Sequence, residues 1–319
     1  MSPTKPEAAA VQRVNWLLLI LGLAALAWLV VRAERHERSQ ALAGRASRAL
    51  ELTDAVPLGP SLLVTLDVAA LSTSAKQQLL HAGGEKLLGL RELCGFEPLL
   101  GVRQALLALP PSEPGQSADF ALIADTTLAP EPVLRCAEAA IRKGGGTPAR
   151  SKLGAFTSVR AVAKPLGEVA IRGDGLFVLS GGQYFRAVID AASGARASDE
   201  AARLRSALHA TVRRKLAGNQ LLVSALPEAS VSLPGVKMLG LGLSFERDVP
   251  ELHGLLYCAS AADCQRAHDW LARMLAAGAE APELAPLANL KVIAREAELE
   301  VTGPLTLQQL GNLATLLAP

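Results

Sequence analysis

Apolar and polar positions change rhythm several times along this chain, and the longest unbroken apolar stretch comes first. From Val14 to Val31 the sequence reads VNWLLLILGLAALAWLVV, with no charge and a single amide, Asn15, near its edge. At about 1.5 Å per residue, a helix of this length just crosses a hydrocarbon core of about 30 Å. Trp16 and Trp28 lie near its two ends, where amphipathic rings favour the membrane interface, and Arg13 and Arg32 close it off. The nearest small-x-small site, Ala41-Leu42-Ala43, lies about ten polar residues further on, too far for ordinary signal cleavage. The pattern therefore predicts an uncleaved transmembrane signal-anchor at residues 14–31, after a short tail at residues 1–13. Residues 32–57 are polar and rich in Ala and Arg, and read as a stalk.

Beyond the stalk, period-2 and period-3.6 patterns alternate. Strands are expected at Ser61–Val68, Val102–Leu109 and Asp119–Ala124, with a helix over Ser74–Leu93. Pro130 in a first turn and Gly144-Gly145-Gly146 after Lys143 bracket a second helix, the usual asymmetry of helix ends. Phe156–Ala163, Glu168–Arg172 and Leu176–Ser180 read as strands, the last two joined through the turn Gly173-Asp174-Gly175. A helix over Gln183–Ala192 ends this half. The second half runs helix Asp199–Ala217, strands Gln220–Leu226, Met238–Phe245 and Glu251–Cys258, helix Ala261–Ala276, strands Leu290–Arg295 and Glu298–Thr302, and helix Thr306–Leu317.

The order strand, strand, helix, strand, strand, helix occurs twice, and Asp119–Gly144 lines up in pattern with Glu251–Gly278. The expected architecture is α+β: one N-terminal transmembrane helix, then two similar halves of antiparallel sheet plus helix, at residues 58–195 and 196–319.

Composition narrows the function classes. Aromatics are 3% of the residues, so the core must be built from Leu, Ala and Val, and few rings remain to stack on bases or flavins. With 32 basic against 30 acidic side chains, the chain lacks the basic excess of a nucleic-acid binder. The run Arg213-Arg214-Lys215 ends a helix, where cations suit the negative end of the dipole.

Four cysteines divide evenly, Cys94 and Cys136 in the first half, Cys258 and Cys264 in the second. Cys258 ends a strand, and Ser260-Ala261-Ala262-Asp263 is a capping-box-like start to the next helix, which puts Cys264 about one turn in. A disulfide there would tie strand end to helix start and contribute about 2 kcal/mol in the chain-entropy account. An even count fits an oxidising compartment. Buried free thiols are the plainer alternative. A metal site would need Cys264 and His268, four apart on a helix, joined by His253 and Cys258, but those two are five apart on a strand and face opposite sides. No Cys-x-x-Cys marks a redox centre.

The stretch Cys94-Gly95-Phe96-Glu97-Pro98 is preceded by a helix and followed by strand Asp119–Ala124 and by Cys136. In this it resembles a family of exported or membrane-anchored bacterial proteins, without an assigned activity, that carries a Cys-Gly-Phe-Asp-Pro motif. Glu97 stands where that family has Asp, and the resemblance covers about residues 60–195. It implies an envelope location and a Cys94–Cys136 pairing, which would contribute about 4 kcal/mol in the same account.

Catalytic signatures are sparse. His36 lies in the stalk, and His81 and His209 lie on amphipathic helices, where a solvated or half-buried role is expected. His268 and Asp269 are adjacent on a helix and are expected to diverge by about 100°. No Gly-x-Ser-x-Gly elbow occurs, and Gly181-Gly182-Gln183 lacks the Lys-Ser/Thr of a phosphate loop. Glu296, Glu298 and Glu300 alternate as if on one strand face, where they read as solvating carboxylates beside Arg295. Asp119, Asp125 and Asp174 fall at strand ends and turns.

No catalytic, metal or cofactor-binding residue is therefore assigned, and no cofactor is expected. The reading is a non-enzymatic binding or scaffolding module, anchored by one span in a bacterial inner membrane with its soluble part in the periplasm. Its partners would be the lipid bilayer and an envelope protein. Two alternatives stand beside it: an enzyme with scattered polar residues in a cleft between the halves, or a cytoplasm-facing tethered adaptor. The adaptor is suggested by Arg32, Arg35, Arg38, Arg45 and Arg48 beyond the span, which the positive-inside rule would keep in the cytoplasm.

Overall fold

The computed structural model describes residues 52–57, 59–72, 92–95, 101–111, 119–163, 167–182, 184–194, 200–226, 235–246, 249–280 and 289–304. The predicted span Val14–Val31, the stalk up to residue 51, His36, His81, the helix expected from Ser74 as far as residue 91, the Phe96-Glu97-Pro98 part of the motif and the helix expected at Thr306–Leu317 lie outside them. Among the described residues, no helix is long and apolar enough to cross a membrane. The fold is α+β with extensive antiparallel pairing. The chain divides into two compact units: residues up to Pro60 with Leu66–Asp199, and Ser61–Thr65 with Glu200–Pro319.

In the first unit, β2 (Val102–Leu109) pairs with β3 (Ala121–Thr126), which pairs with β7 (Leu176–Ser180). Then β6 (Glu168–Arg172), β5 (Phe156–Ala161) and β4 (Pro148–Leu153) continue outward, every pairing antiparallel. Helix α1 (Pro130–Lys143) follows β3 and lays Leu134, Ala137 and Ile141 on Val159, Val169, Ile171 and Phe177. Its first turn carries Pro130, whose missing N–H costs nothing there, and its last carbonyls bond to Gly144, Gly145 and Gly146. Helix α2 (Tyr184–Ala192) packs on β3, β7 and a 3-10 turn at Leu52–Ala55.

The strand β4 is absent from the sequence pattern. Its residues PARSKL show no apolar alternation, because an edge strand here buries almost none of its side chains. Backbone pairing with β5 holds it, and Pro148 at its start needs no ladder donor. Arg150 bridges it to α1, bonding Glu131 at 2.8 and 2.9 Å and Glu138 at 2.5 Å.

In the second unit the spatial order is β11 (Lys291–Arg295), β12 (Glu298–Pro304), β10 (Glu251–Cys258), β9 (Val236–Ser244), β8 (Leu221–Ala225). The start of β1 (Leu62–Asp67) meets β8, with Leu226 donating to the Ser61 carbonyl at 2.7 Å. Two helices cover opposite faces of this sheet. Helix α3 (Glu200–Lys215) and the residue after it set Leu208, Val212 and Leu216 on Met238 and Leu255. Helix α4 (Ala261–Glu280) sets Cys264, Ala267 and Leu271 on Val236, Leu256, Leu299 and Val301. Leu255 and Leu256 are neighbours on one strand and so point to the two helices in turn.

Close approach of α3 depends on Gly240. A Cβ there would lie 2.5 Å from Val212 and 3.3 Å from Leu216. Gly240→Ala should therefore force α3 outward and lower stability by about 1–3 kcal/mol, the range for overpacking. Denaturant titration of the purified chain checks this, and an unchanged midpoint would show that the helix is not seated on that glycine.

Candidate functional site

The first unit holds an open cavity of about 600 Å³. One wall is the short segment carrying Leu93, Cys94 and Gly95. The other is the entry and first turns of α1, with Leu128, Pro132, Arg135, Cys136 and Ala139. Pro130 and the 3.6-residue period set that wall, because positions 132, 135, 136 and 139 recur on one helix face. Cys94 and Cys136 are joined in a disulfide, with Cα atoms 4.5 Å apart, so the walls are covalently linked. Carbon dominates the lining. Arg135 is exposed and stands 4.0 Å from Glu131.

The second disulfide joins Cys258 and Cys264, with Cα atoms 5.4 Å apart. Here the predicted cap is present: Ser260 Oγ accepts from the Asp263 N–H at 3.2 Å and donates to the Asp263 carboxylate at 2.6 Å. This pair is enclosed. Cys258 is 6% exposed and Cys264 1%, inside the apolar cluster under α4. All four cysteines are thus paired, and none is free.

Several expectations need correction. His209 is 2% exposed rather than half-solvated, and its Nδ1 lies 2.6 Å from Ser224 Oγ, itself buried. A one-residue rotation in the α3 stripe, between Leu208 and Val212, puts the imidazole inward. The pair lies within the second unit's core, where no solvent-borne substrate reaches the hydroxyl. His268 and Asp269 do meet, at 3.3 Å, because on an exposed helix face both side chains are free to bend across the gap between adjacent residues. The His268 bond is the first cause holding the Asp269 carboxyl below its usual range, and Gln265 is the second. Glu296 does not share a strand face with Glu298 and Glu300. It sits in the β11–β12 turn with φ of 41°, because the hairpin turns there. Glu298 pairs with Lys215 at 3.2 Å and Glu300 with Arg295 at 3.3 Å, the solvating role expected of them.

The remaining acidic candidates are local. Asp125 forms a two-pronged pair with Arg103, at 2.5 and 2.7 Å. Asp174 sits in the β6–β7 turn, its carboxyl held low chiefly by Arg172. At the entry to α2, Gly182 (φ 60°) faces Asp119 so closely that a Cβ would strike the carboxylate. Among the described residues no group of three or more His, Cys, Asp or Glu is placed to hold a metal ion.

Sequence reasoning missed the cavity altogether, since its walls are 33 or more residues apart and are mostly Leu, Ala and Pro. The signal that could have found it is Arg135-Cys136 on a helix face that is otherwise apolar.

No family model and no curated protein sequence matches this chain. Among solved structures it is similar to crystal form I of TP0453, with a TM-score of 0.50 and 12% identity, covering 84% of this chain and 98% of that one. Crystal form III of TP0453 gives a TM-score of 0.49 and 11% identity, covering 83% and 96%. At such identity the first of these concerns fold alone.

Tyr184, buried at the start of α2, has a hydroxyl without a hydrogen-bond partner among the described residues. Burial pushes its phenol well up, and the Asp119 charge pushes it further. A group whose folded pKa is raised contributes stability that is complete below its unfolded value, about 10, and is lost as pH rises above it. Stability should therefore fall above about pH 10, and Tyr184→Phe should remove part of that fall while leaving neutral-pH stability equal or slightly higher. Denaturant midpoints at pH 8 to 11 measure both, and parallel curves for the two proteins would refute the assignment.

Proposed function

We propose that this chain is a membrane-tethered envelope protein of the bacterial inner membrane, whose soluble part faces the periplasm and acts by binding or scaffolding rather than by catalysis. One observation carries the reading: all four cysteines are in disulfides, one in each unit. Such bonds persist in oxidising compartments and are rare in the cytosol. The apolar segment Val14–Val31 supplies the tether and residues 32–51 the stalk, which ends earlier than the sequence pattern suggests because Leu52 and Ala55 are buried in the first unit. The open cavity in the first unit offers a place for an apolar group of a partner.

The resemblance to exported proteins with a Cys-Gly-Phe-Asp-Pro motif belongs to the same proposal. We also infer that the two units arose by duplication. In support, each runs two antiparallel strands, a covering helix, then a hairpin whose last strand returns beside the second strand: β2, β3, α1, β6, β7 in one and β9, β10, α4, β11, β12 in the other. The first unit adds β4 and β5 between its helix and its hairpin.

Protein taken from native membranes with thiols blocked before lysis should show no free cysteine and two cross-linked peptides, Cys94 with Cys136 and Cys258 with Cys264. Mass spectrometry of the unreduced digest reads this directly. Four alkylated thiols in that material would overturn the envelope reading.

A further inference from the structure

The two disulfides occupy opposite environments, and the difference points to a chemical role for one of them. Cys258 and Cys264 lie within the packed cluster of Val236, Leu256, Ala267, Leu299 and Val301. A thiolate reaches that bond only after α4 lifts from the sheet, a local opening that costs much of the packing beneath it. Cys94 and Cys136 are half-buried, and both line the open cavity in the first unit. The exposed cation Arg135 stands in the same lining. Accessible sulfur with a cation in the same cavity lining is a setting that favours the thiolate and exchange.

We propose that the Cys94–Cys136 bond is a thiol–disulfide exchange site, attacked from the cavity by a dithiol reductant, and that Cys258–Cys264 is a closed structural bond. In the first step a reductant thiolate attacks Cys94 Sγ. The Cys94–Cys136 bond breaks, a mixed disulfide forms at Cys94, and Cys136 leaves as a thiolate near Arg135, then takes a proton. In the second step the reductant's other thiol, deprotonated, displaces Cys94, which leaves as a thiolate and is protonated in turn. The dithiol ends as a disulfide, and the protein has gained two electrons and two protons. Reversal by an oxidised dithiol partner restores the bond. Since this bond links the segment carrying Leu93 to α1, exchange releases one wall of the cavity from the other. The site is therefore also a control on what the cavity holds. The chemistry stands without the binding role proposed above, since it needs only the cavity and the two sulfurs.

The test uses dithiothreitol as the dithiol, on the full chain in mild detergent under native conditions. Aliquots are quenched with iodoacetamide over time and each cysteine's alkylation is read by peptide mass spectrometry, with circular dichroism on the same samples. Cys94 and Cys136 should be alkylated together, roughly tenfold or more faster than Cys258 and Cys264, while the fold signal is unchanged. Arg135→Gln should slow the first pair severalfold and leave the second pair's rate alone. Equal rates for the two pairs, or earlier opening of Cys258–Cys264, would overturn the assignment. A wild-type rate at the first pair in Arg135→Gln would overturn the part given to the guanidinium.

Discussion

Each unit depends on holding a helix against an antiparallel sheet across a core built mostly of Leu, Val and Ala. Leu, Val and Ala bury less area per side chain than Phe or Trp, so the contact between helix and sheet must be continuous to be worth much. In both units the helix that follows the second paired strand carries a cysteine in a cross-link, Cys136 in α1 and Cys264 in α4. The apolar stripes of the two helices match in spacing: Leu134, Ala137 and Ile141 in α1, and Cys264, Ala267 and Leu271 in α4. A covalent tie restricts the unfolded chain and offsets what the thin core lacks.

The same tie is used in two ways. At α4 it closes a loop of 6 residues and disappears into the core, where the Ser260 cap fixes the helix start beside it. At α1 it spans 42 residues and stays at a cavity wall. A buried bond contributes only to stability. A bond on a cavity surface also has chemistry available to it, and Arg135 in the same lining adds to that difference.

Most of the fold was legible because burial left its period in the sequence. Val102–Leu109, Pro130–Lys143, Glu168–Arg172, Leu176–Ser180 and Glu251–Cys258 fall where the pattern predicts them. What escaped was structure held by something other than a buried face. Strand β4 is held by backbone pairing and by the Arg150 bridge to Glu131 and Glu138, and an edge strand has no apolar alternation to show. His209 was misjudged because one polar residue in an apolar stripe does not reveal its rotation, and its partner Ser224 lies on β8. The cavity was invisible because its two walls meet only in the folded chain. The capping box at Ser260 and the disulfide beside it were readable, since both are local.

The central claim is that the disulfide-bearing part of the chain lies on the oxidising side of the membrane to which its N-terminus tethers it. A pair of reporters fused in turn to the C-terminus of the full chain tests this most directly, one active only after export and one fluorescent only in the cytoplasm. The account predicts activity from the exported reporter and none from the cytoplasmic one. Fluorescence from the cytoplasmic reporter, with the exported one silent, would contradict it.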